Sequence, residues 1–245
     1  MPKIKAVIEY DGTDFFGFQR QPSKPTVQGE IERALAGLFQ VDKFKIAGAG
    51  RTDAGVHATG QVISFDAPDR FPADRIRPAV NGLLPKSIRF RRTEIVPEDF
   101  HARFSAKSRA YVYVVLNREE PSAILARYAW QITQPLDVDA MRSAAKALVG
   151  AHDFASFGMP ERAGGTTVRR ILKFRISRRK NAIFLGIEAD AFLRGMARAM
   201  VGTLVEVGLG KRSPGEVAGI LAACDRRSSG VSAPPRGLFL TRVEY

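Results

Sequence analysis

The chain has 245 residues, with 38 lysines and arginines against 25 aspartates and glutamates, a formal net charge of +13. Hydrophobic residues make up 45% and charged residues 26%, a balance that supports a packed core in one large domain or two small ones and excludes disordered, collagen-like and mucin-like chains. No stretch approaches the ~18 consecutive apolar residues of a membrane helix, and the lone Cys224 permits neither an internal disulfide nor a cysteine-rich zinc site.

The start, Met1-Pro-Lys-Ile-Lys5, leads into alternation and not into a signal peptide, which predicts a cytoplasmic protein with no membrane partner. The basic excess points to a polyanion, nucleic acid first. Arginine dominates it, 27 against 11 lysines, and a guanidinium grips phosphate in two places and stacks on bases; GC-rich codon usage produces the same bias. Both parts of the chain are basic, by +4 up to residue 120 and by +9 beyond it.

Ile4, Ala6, Ile8 and Tyr10 alternate with polar residues, which predicts a first strand ending at the turn Asp11-Gly12-Thr13. After Pro25-Thr26, apolar Val27, Ile31, Leu35 and Leu38 mark one face of a helix running to about Gln40. Strands are expected near Phe44 to Ala47, Gln61 to Phe65 and Ile88 to Ile95, with a short helix near Asp74 to Leu84. From Arg109 to Leu116 the alternation sets Tyr111, Tyr113 and Val115 on one face of a strand. The loop-like stretch Asn117 to Gln134 divides the chain into subdomains 1–116 and 117–245. Beyond it come a helix from Val138 ending before Gly150, strands near Val168 to Ile176 and Ala182 to Ala189 around the basic tip Ser177 to Asn181, a helix from Phe192 to Val207, and a helix capped by Ser213, Pro214 and Glu216 that runs to Ala223. The chain closes on a strand from Gly237 to Val243. The fold class is α+β.

His57, His101 and His152 have no metal-ligand spacing. Neither a phosphate-binding Gly-x-x-x-x-Gly-Lys-Ser/Thr loop nor a Gly-x-Ser-x-Gly elbow is present. Between Gly48 and Gly60 stand four glycines, Arg51 and Asp53. So much glycine suits a tight turn that Asp53 caps, the reading the residues themselves favour slightly, and also a loop whose backbone a ligand approaches closely. The residues by themselves leave the carboxylate unassigned.

Gly50-Arg-Thr-Asp-Ala-Gly-Val-His-Ala58 resembles the signature of the TruA family, tRNA pseudouridine synthases of the anticodon stem-loop acting at tRNA positions 38 to 40. Further family-like segments follow in order: Tyr10 to Thr13 with Gly17 to Gln19, Thr26 to Gly29, Asn81 to Pro85, Ala102 to Ala106 with Arg109 and Tyr111, His152 to Phe154, and Phe192 and Leu193 with Met196, Arg198 and Gly202. The resemblance spans nearly the whole chain. It departs from the pattern at Arg194, Gly195 and Ala199.

What the resemblance implies is a cofactor-free isomerase that turns uridine into pseudouridine, with Asp53 as the essential carboxylate. Asp53 would help break the C1′–N1 bond by attack at C6 of the ring or by assistance at the sugar. Arg198 would keep Asp53 ionised, Tyr111 would stack on the uracil, and Arg51 would fill the gap left by the extruded uridine. Arg109 and Arg170 join Arg51 and Tyr111 as candidate substrate-binding residues. The resemblance also implies two ferredoxin-like subdomains in a continuous, mixed, mostly antiparallel sheet with helices on one side, a cleft between the subdomains, and a homodimer that holds tRNA across both subunits.

The clusters Arg89, Arg91 and Arg92, Arg169 and Arg170, and Arg178 to Lys180 fit phosphate contacts that give affinity without sequence choice, or solvated strand edges guarded by charge. The alternatives are a non-catalytic basic RNA-binding protein or chaperone, and a synthase acting on another RNA. Asp53, Tyr111 and Arg198 together argue against the chaperone, because a carboxylate among phosphates repels them.

Overall fold

The computed structural model describes residues 1–162 and 164–245. The chain forms two compact units, residues 1–107 with 239–245, and residues 108–238. The sequence reading divides at 116/117 instead; the strand that follows residue 107 belongs whole to the second unit, and the last residues return to the first.

In chain order the first unit holds β1 (Lys3–Tyr10), α1 (Val27–Phe39), β2 (Ala47–Gly48), β3 (His57–Asp66), α2 (Ala73–Leu83) and β4 (Ile88–Val96). The second holds β5 (Ser108–Asn117), β6 (Trp130–Ile132), α3 (Val138–Ala145), β7 (Gly150–Asp153), β8 (Val168–Arg179), β9 (Ala182–Ala189), α4 (Met196–Gly208) and α5 (Glu216–Ala223). The closing strand β10 (Leu238–Glu244) pairs in the first unit. The class is α+β and the pairing mixed but mostly antiparallel: only β10 with β3 and β6 with β5 run parallel among the pairs described.

In the first unit the strand order is β4-β1-β3-β10, with β2 beside β3. The alternation in β1 buries Ile4, Ala6, Ile8 and Tyr10 on one face. Buried apolar residues of α1 (Val27, Ile31, Leu35, Phe39) and of α2 (Ile76, Val80) complete this unit's core. Thr26 caps α1 by accepting from the Gly29 N–H, as the Pro-Thr signal requires. A smaller cluster of Ala49, Val62 and Ala102 packs with Val7, Phe100, Val243 and Tyr245.

In the second unit the order is β5-β9-β8-β7, with β6 beside β5. Tyr111, Tyr113 and Val115 of β5 lie on one buried face, as the alternation requires, with Ile183, Leu185, Ile187 and Ala189 of β9 also buried. Helix α4 is buried along almost its whole length. A methyl group on Gly202 would meet the Val231 carbonyl oxygen at 1.8 Å, so this glycine lets segment 230–234 lie directly on the helix.

Several elements depart from expectation. The strand near Phe44 to Ala47 shrinks to Ala47–Gly48, whereas β3 begins at His57 and takes in the end of the glycine-rich segment. The stretch Asn117 to Gln134 contains β6, held because the Asn117 amide donates to the Ile132 and Gln134 carbonyls. Helix α4 starts at Met196, not Phe192, because Gly195 sits at φ +77°, a left-handed geometry that cannot continue a helix. Arg194 therefore lies outside the helix, in a two-way backbone pair with Met159. Helix α5 begins at Glu216, with the Ser213 N–H donating back to the Glu216 carboxylate.

Candidate active site

Asp53 lies half-buried on the short loop 49–56 between β2 and β3, with Arg51 exposed two residues earlier and Thr52 buried between them. The loop is fastened at nearly every residue. The Ala49 N–H donates to the Val62 carbonyl at 2.8 Å, the Gln61 amide donates to the Gly50 carbonyl at 2.8 Å, and the Val56 N–H closes back on the Asp53 carbonyl at 3.1 Å.

Segment 10–18 supplies the other half of the clamp. Tyr10 Oη lies 2.8 Å from Thr52 Oγ1, and the Phe18 N–H donates to the Thr52 carbonyl at 3.0 Å. Burial pushes the Tyr10 hydroxyl up to about 12, against its hydrogen bonds to Thr52 and Gln61. Two glycines permit the approach: a methyl on Gly12 would meet the Val56 carbonyl oxygen at 1.9 Å, and one on Gly17, at φ +94°, would meet the Thr52 carbonyl oxygen at 2.8 Å. His57, fully buried, accepts from the Gly12 N–H on Nδ1, lies 3.1 Å from Asp11 Oδ1, and stacks on Phe239 of β10. Asp53 thus projects from a loop whose backbone has little freedom. Among the described residues no hydrogen bond or ion pair holds the Arg51 guanidinium.

The second unit carries Tyr111, Arg109, Arg170 and Arg198. Tyr111 is buried on β5, its ring edge-on to Phe192 at 4.8 Å. Arg198, half-buried on the first turns of α4, donates from Nε to the Ala233 carbonyl at 2.7 Å, while the Ala233 N–H donates to the Arg198 carbonyl at 3.0 Å. Tyr113, one repeat along the Tyr111 face, donates its hydroxyl to the next carbonyl, that of Pro234, at 2.7 Å. Burial raises the Tyr113 hydroxyl strongly, and the positive fields of Arg198 and Arg236 oppose that shift. The side chains at 198 and 113 are therefore tied to consecutive residues of one segment.

Arg109 and Arg170 meet around Asp190. The Arg109 guanidinium donates to the Asp190 carbonyl at 2.9 Å, and the Arg170 N–H donates to the Asp190 carboxylate at 3.0 Å, leaving the Arg170 side chain exposed. Of the basic clusters, Arg89 turns onto the carbonyls of Pro85 and Ile88, and Arg91 pairs with Glu9 at 2.8 Å. Arg178 bonds the Asn117 amide oxygen, whereas Arg179 and Lys180 stand exposed at the β8–β9 hairpin tip.

No local pattern marks Thr52, Gln61 and His57 as loop-holding residues or Tyr113 as the partner of segment 233–234, and the one signal for Tyr113 is its shared face with Tyr111. Among the described residues no group of three or more His, Cys, Asp or Glu side chains is placed to hold a metal ion, and no helix is long and apolar enough to cross a membrane.

A family model described as tRNA pseudouridine synthase matches residues 6–105 and 144–245, segments that contain the Asp53 loop and Arg198 but not Arg109 or Tyr111. The chain is 45% identical to the tRNA pseudouridine synthase A of Brevibacillus brevis over the full length of both chains. It is 42% identical to that of Syntrophotalea carbinolica, over all of this chain and 97% of the other, and 43% identical to that of Bacillus subtilis, over 99% of each. One chain of the solved Cbf5-Nop10-Gar1 complex aligns at 11% identity and a TM-score of 0.39, over 97% of this chain and 48% of that one, a likeness that carries no argument. The chain belongs to the tRNA pseudouridine synthase family, whose members are isomerases acting on tRNA.

Proposed function

We propose that this chain isomerises uridine to pseudouridine in the anticodon stem-loop of tRNA, at positions 38 to 40, with Asp53 as the catalytic carboxylate. The observation that carries this reading is the clamped loop 49–56. Phe18, Gln61 and Val62 fasten its backbone, Tyr10 holds the Thr52 side chain, Gly12 lies close against Val56, and the loop presents one carboxylate and one guanidinium, Arg51, that no hydrogen bond or ion pair among the described residues holds. Holding a reacting group in place before the substrate arrives removes part of the entropic cost of the reaction.

The reaction breaks the C1′–N1 bond of uridine and forms a C1′–C5 bond. N1 ends with a proton and C5 loses one, so atoms balance without an oxidant or reductant. A carboxylate suits this exchange because it can add to C6 and loosen the ring, or assist at the sugar by stabilising positive charge or by removing the C2′ proton. Arg198, held by the Ala233 carbonyl, is the cationic member of the proposed catalytic set. The ring of Tyr111, already braced by Phe192, packs against the uracil.

A base inside a helical stem must leave its stack to be reached, and Arg51 fills the space it vacates. The exposed Arg170 side chain and the Arg109 guanidinium contact the RNA backbone. The protein works in the cytoplasm as a homodimer, with one tRNA held across both subunits.

Product mapping tests the site claim. After incubation of unmodified tRNA transcript with the protein, pseudouridine-specific chemical tagging and primer extension should place new stops at positions 38 to 40. Stops confined to another arm would reassign the substrate site.

A further inference from the structure

One feature outside loop 49–56 is built for contact with a flat ring. Phe104 is 77% exposed, the most exposed aromatic residue among the large hydrophobics described. It is nonetheless ordered by its neighbours. Its ring lies 4.4 Å from that of His101, tilted by 33°, and the Arg103 guanidinium carbon stands 5.6 Å from its centroid.

The turn that carries it is closed by paired hydrogen bonds. The His101 N–H donates to Ser105 Oγ at 3.0 Å, and the Ser105 N–H donates to the His101 carbonyl at 3.0 Å. The N–H groups of Arg103 and Phe104 both point at His101 Nδ1, at 3.1 and 3.4 Å. Ala102, fully buried, anchors the turn to the first unit: its N–H donates to Ser64 Oγ at 3.1 Å, and its carbonyl accepts from Tyr245 Oη at 2.7 Å.

A rigid, exposed phenyl ring with a cation beside it is a ready stacking platform. Its surroundings in sequence are polar and charged: Glu98, Asp99, Arg103, Ser105 and Lys107. Such a rim suits one flat ring better than the broad apolar face of a protein partner, which draws on a contiguous apolar patch.

We propose that Phe104, supported by His101 and Arg103, stacks on an unpaired nucleobase of the RNA substrate. This rests on the tRNA reading above and extends it to a contact that loop 49–56 does not supply. Stacking of a base on an aromatic side chain is worth about a tenfold change in affinity, and because every base has a π face the platform reads an unstacked conformation and not a sequence.

Three variants separate a π platform from a packing role: Phe104→Tyr keeps the flat ring, Phe104→Leu keeps apolar bulk without it, and Arg103→Gln removes the cation. Binding of full-length protein to a tRNA transcript and to a blunt RNA duplex with no unpaired base is measured by filter retention, alongside thermal melting and light scattering. Phe104→Leu should weaken tRNA binding about tenfold, leave duplex binding and melting unchanged, and raise KM more than it lowers kcat. Phe104→Tyr should match wild type, and Arg103→Gln should fall between the two.

Equal tRNA binding by Phe104→Leu and wild type would overturn the proposal. So would a loss shared equally by the duplex, or a change in oligomeric state that accounts for the loss and marks the ring as a contact between copies. A wild-type protein that forms no pseudouridine would sink the isomerase reading instead, while the binding comparison would still decide the platform.

Discussion

Tyr10 Oη lies 2.8 Å from Thr52 Oγ1, joining the end of the first strand to the residue next to Asp53. Both side chains are buried, so replacing Tyr10 takes a partner from Thr52 where water does not readily stand in. Tyr10→Phe is expected to cost about 1 kcal/mol of stability and to lower kcat for pseudouridine formation while tRNA affinity stays unchanged. Single-turnover rates at saturating enzyme check this. An unchanged rate would show that Asp53 does not depend on this bond.

The same hydroxyl gives an alkaline signature. Burial raises Tyr10 from its ordinary value of 10.0 to about 12 and raises Tyr113 further. The folded state thus holds these protons where the unfolded chain has released them. Their contribution to stability is complete below pH 10 and is lost as pH climbs from there through about 12. Chemical denaturation followed between neutral pH and the alkaline limit should show this fall, and Tyr10→Phe should make it shallower. An equally steep fall in the variant would contradict the assignment.

Gly12 touches the Val56 carbonyl so closely that a Cβ would meet its oxygen at 1.9 Å. The Val56 N–H in turn closes on the Asp53 carbonyl. Gly12→Ala therefore has to move the Asp53 turn or segment 11–13, at a cost of roughly 1–3 kcal/mol, and activity should fall by more than the loss of folded protein explains. Activity normalised to the folded fraction is the measurement, and a normalised rate equal to wild type would remove Gly12 from the clamp.

At the β8–β9 hairpin, Arg179 and Lys180 are exposed and engage no carboxylate among the described residues, unlike Arg178, which is held by Asn117. If both sit on phosphates, replacing them with Gln should reduce the slope of log affinity against log salt by about 2. Arg91, paired with Glu9, should change that slope little when replaced. Equal effects at both places would point to general electrostatics instead of a phosphate track.

The strands and helices that alternate cleanly were legible from the residues: β1, β5, β9 and α1 stand within a residue or two of where the periodicity places them. The carboxylate was not. Four glycines with Asp53 describe a turn cap slightly better than a ligand loop, and only the resemblance favours chemistry. The clamp around it depends on contacts between residues as far apart as Gly12 and Val56 or Tyr10 and Thr52, which no local pattern encodes. The start of α4 differs from the expected one for a local reason: Phe192 and Met196 keep the helical spacing, but Gly195 takes a left-handed conformation that the apolar pattern does not reveal. Strand β6 is not legible because three residues are too few to show a period.

The most direct test follows tritium release from tRNA labelled at uracil C5, comparing wild type with Asp53→Asn at equal bound tRNA. C5 loses its hydrogen only when it becomes bonded to C1′, so release reports the isomerisation itself. Release by wild type and none above background by Asp53→Asn is the expected result. Equal release by both proteins would contradict the central claim that Asp53 is the catalytic carboxylate.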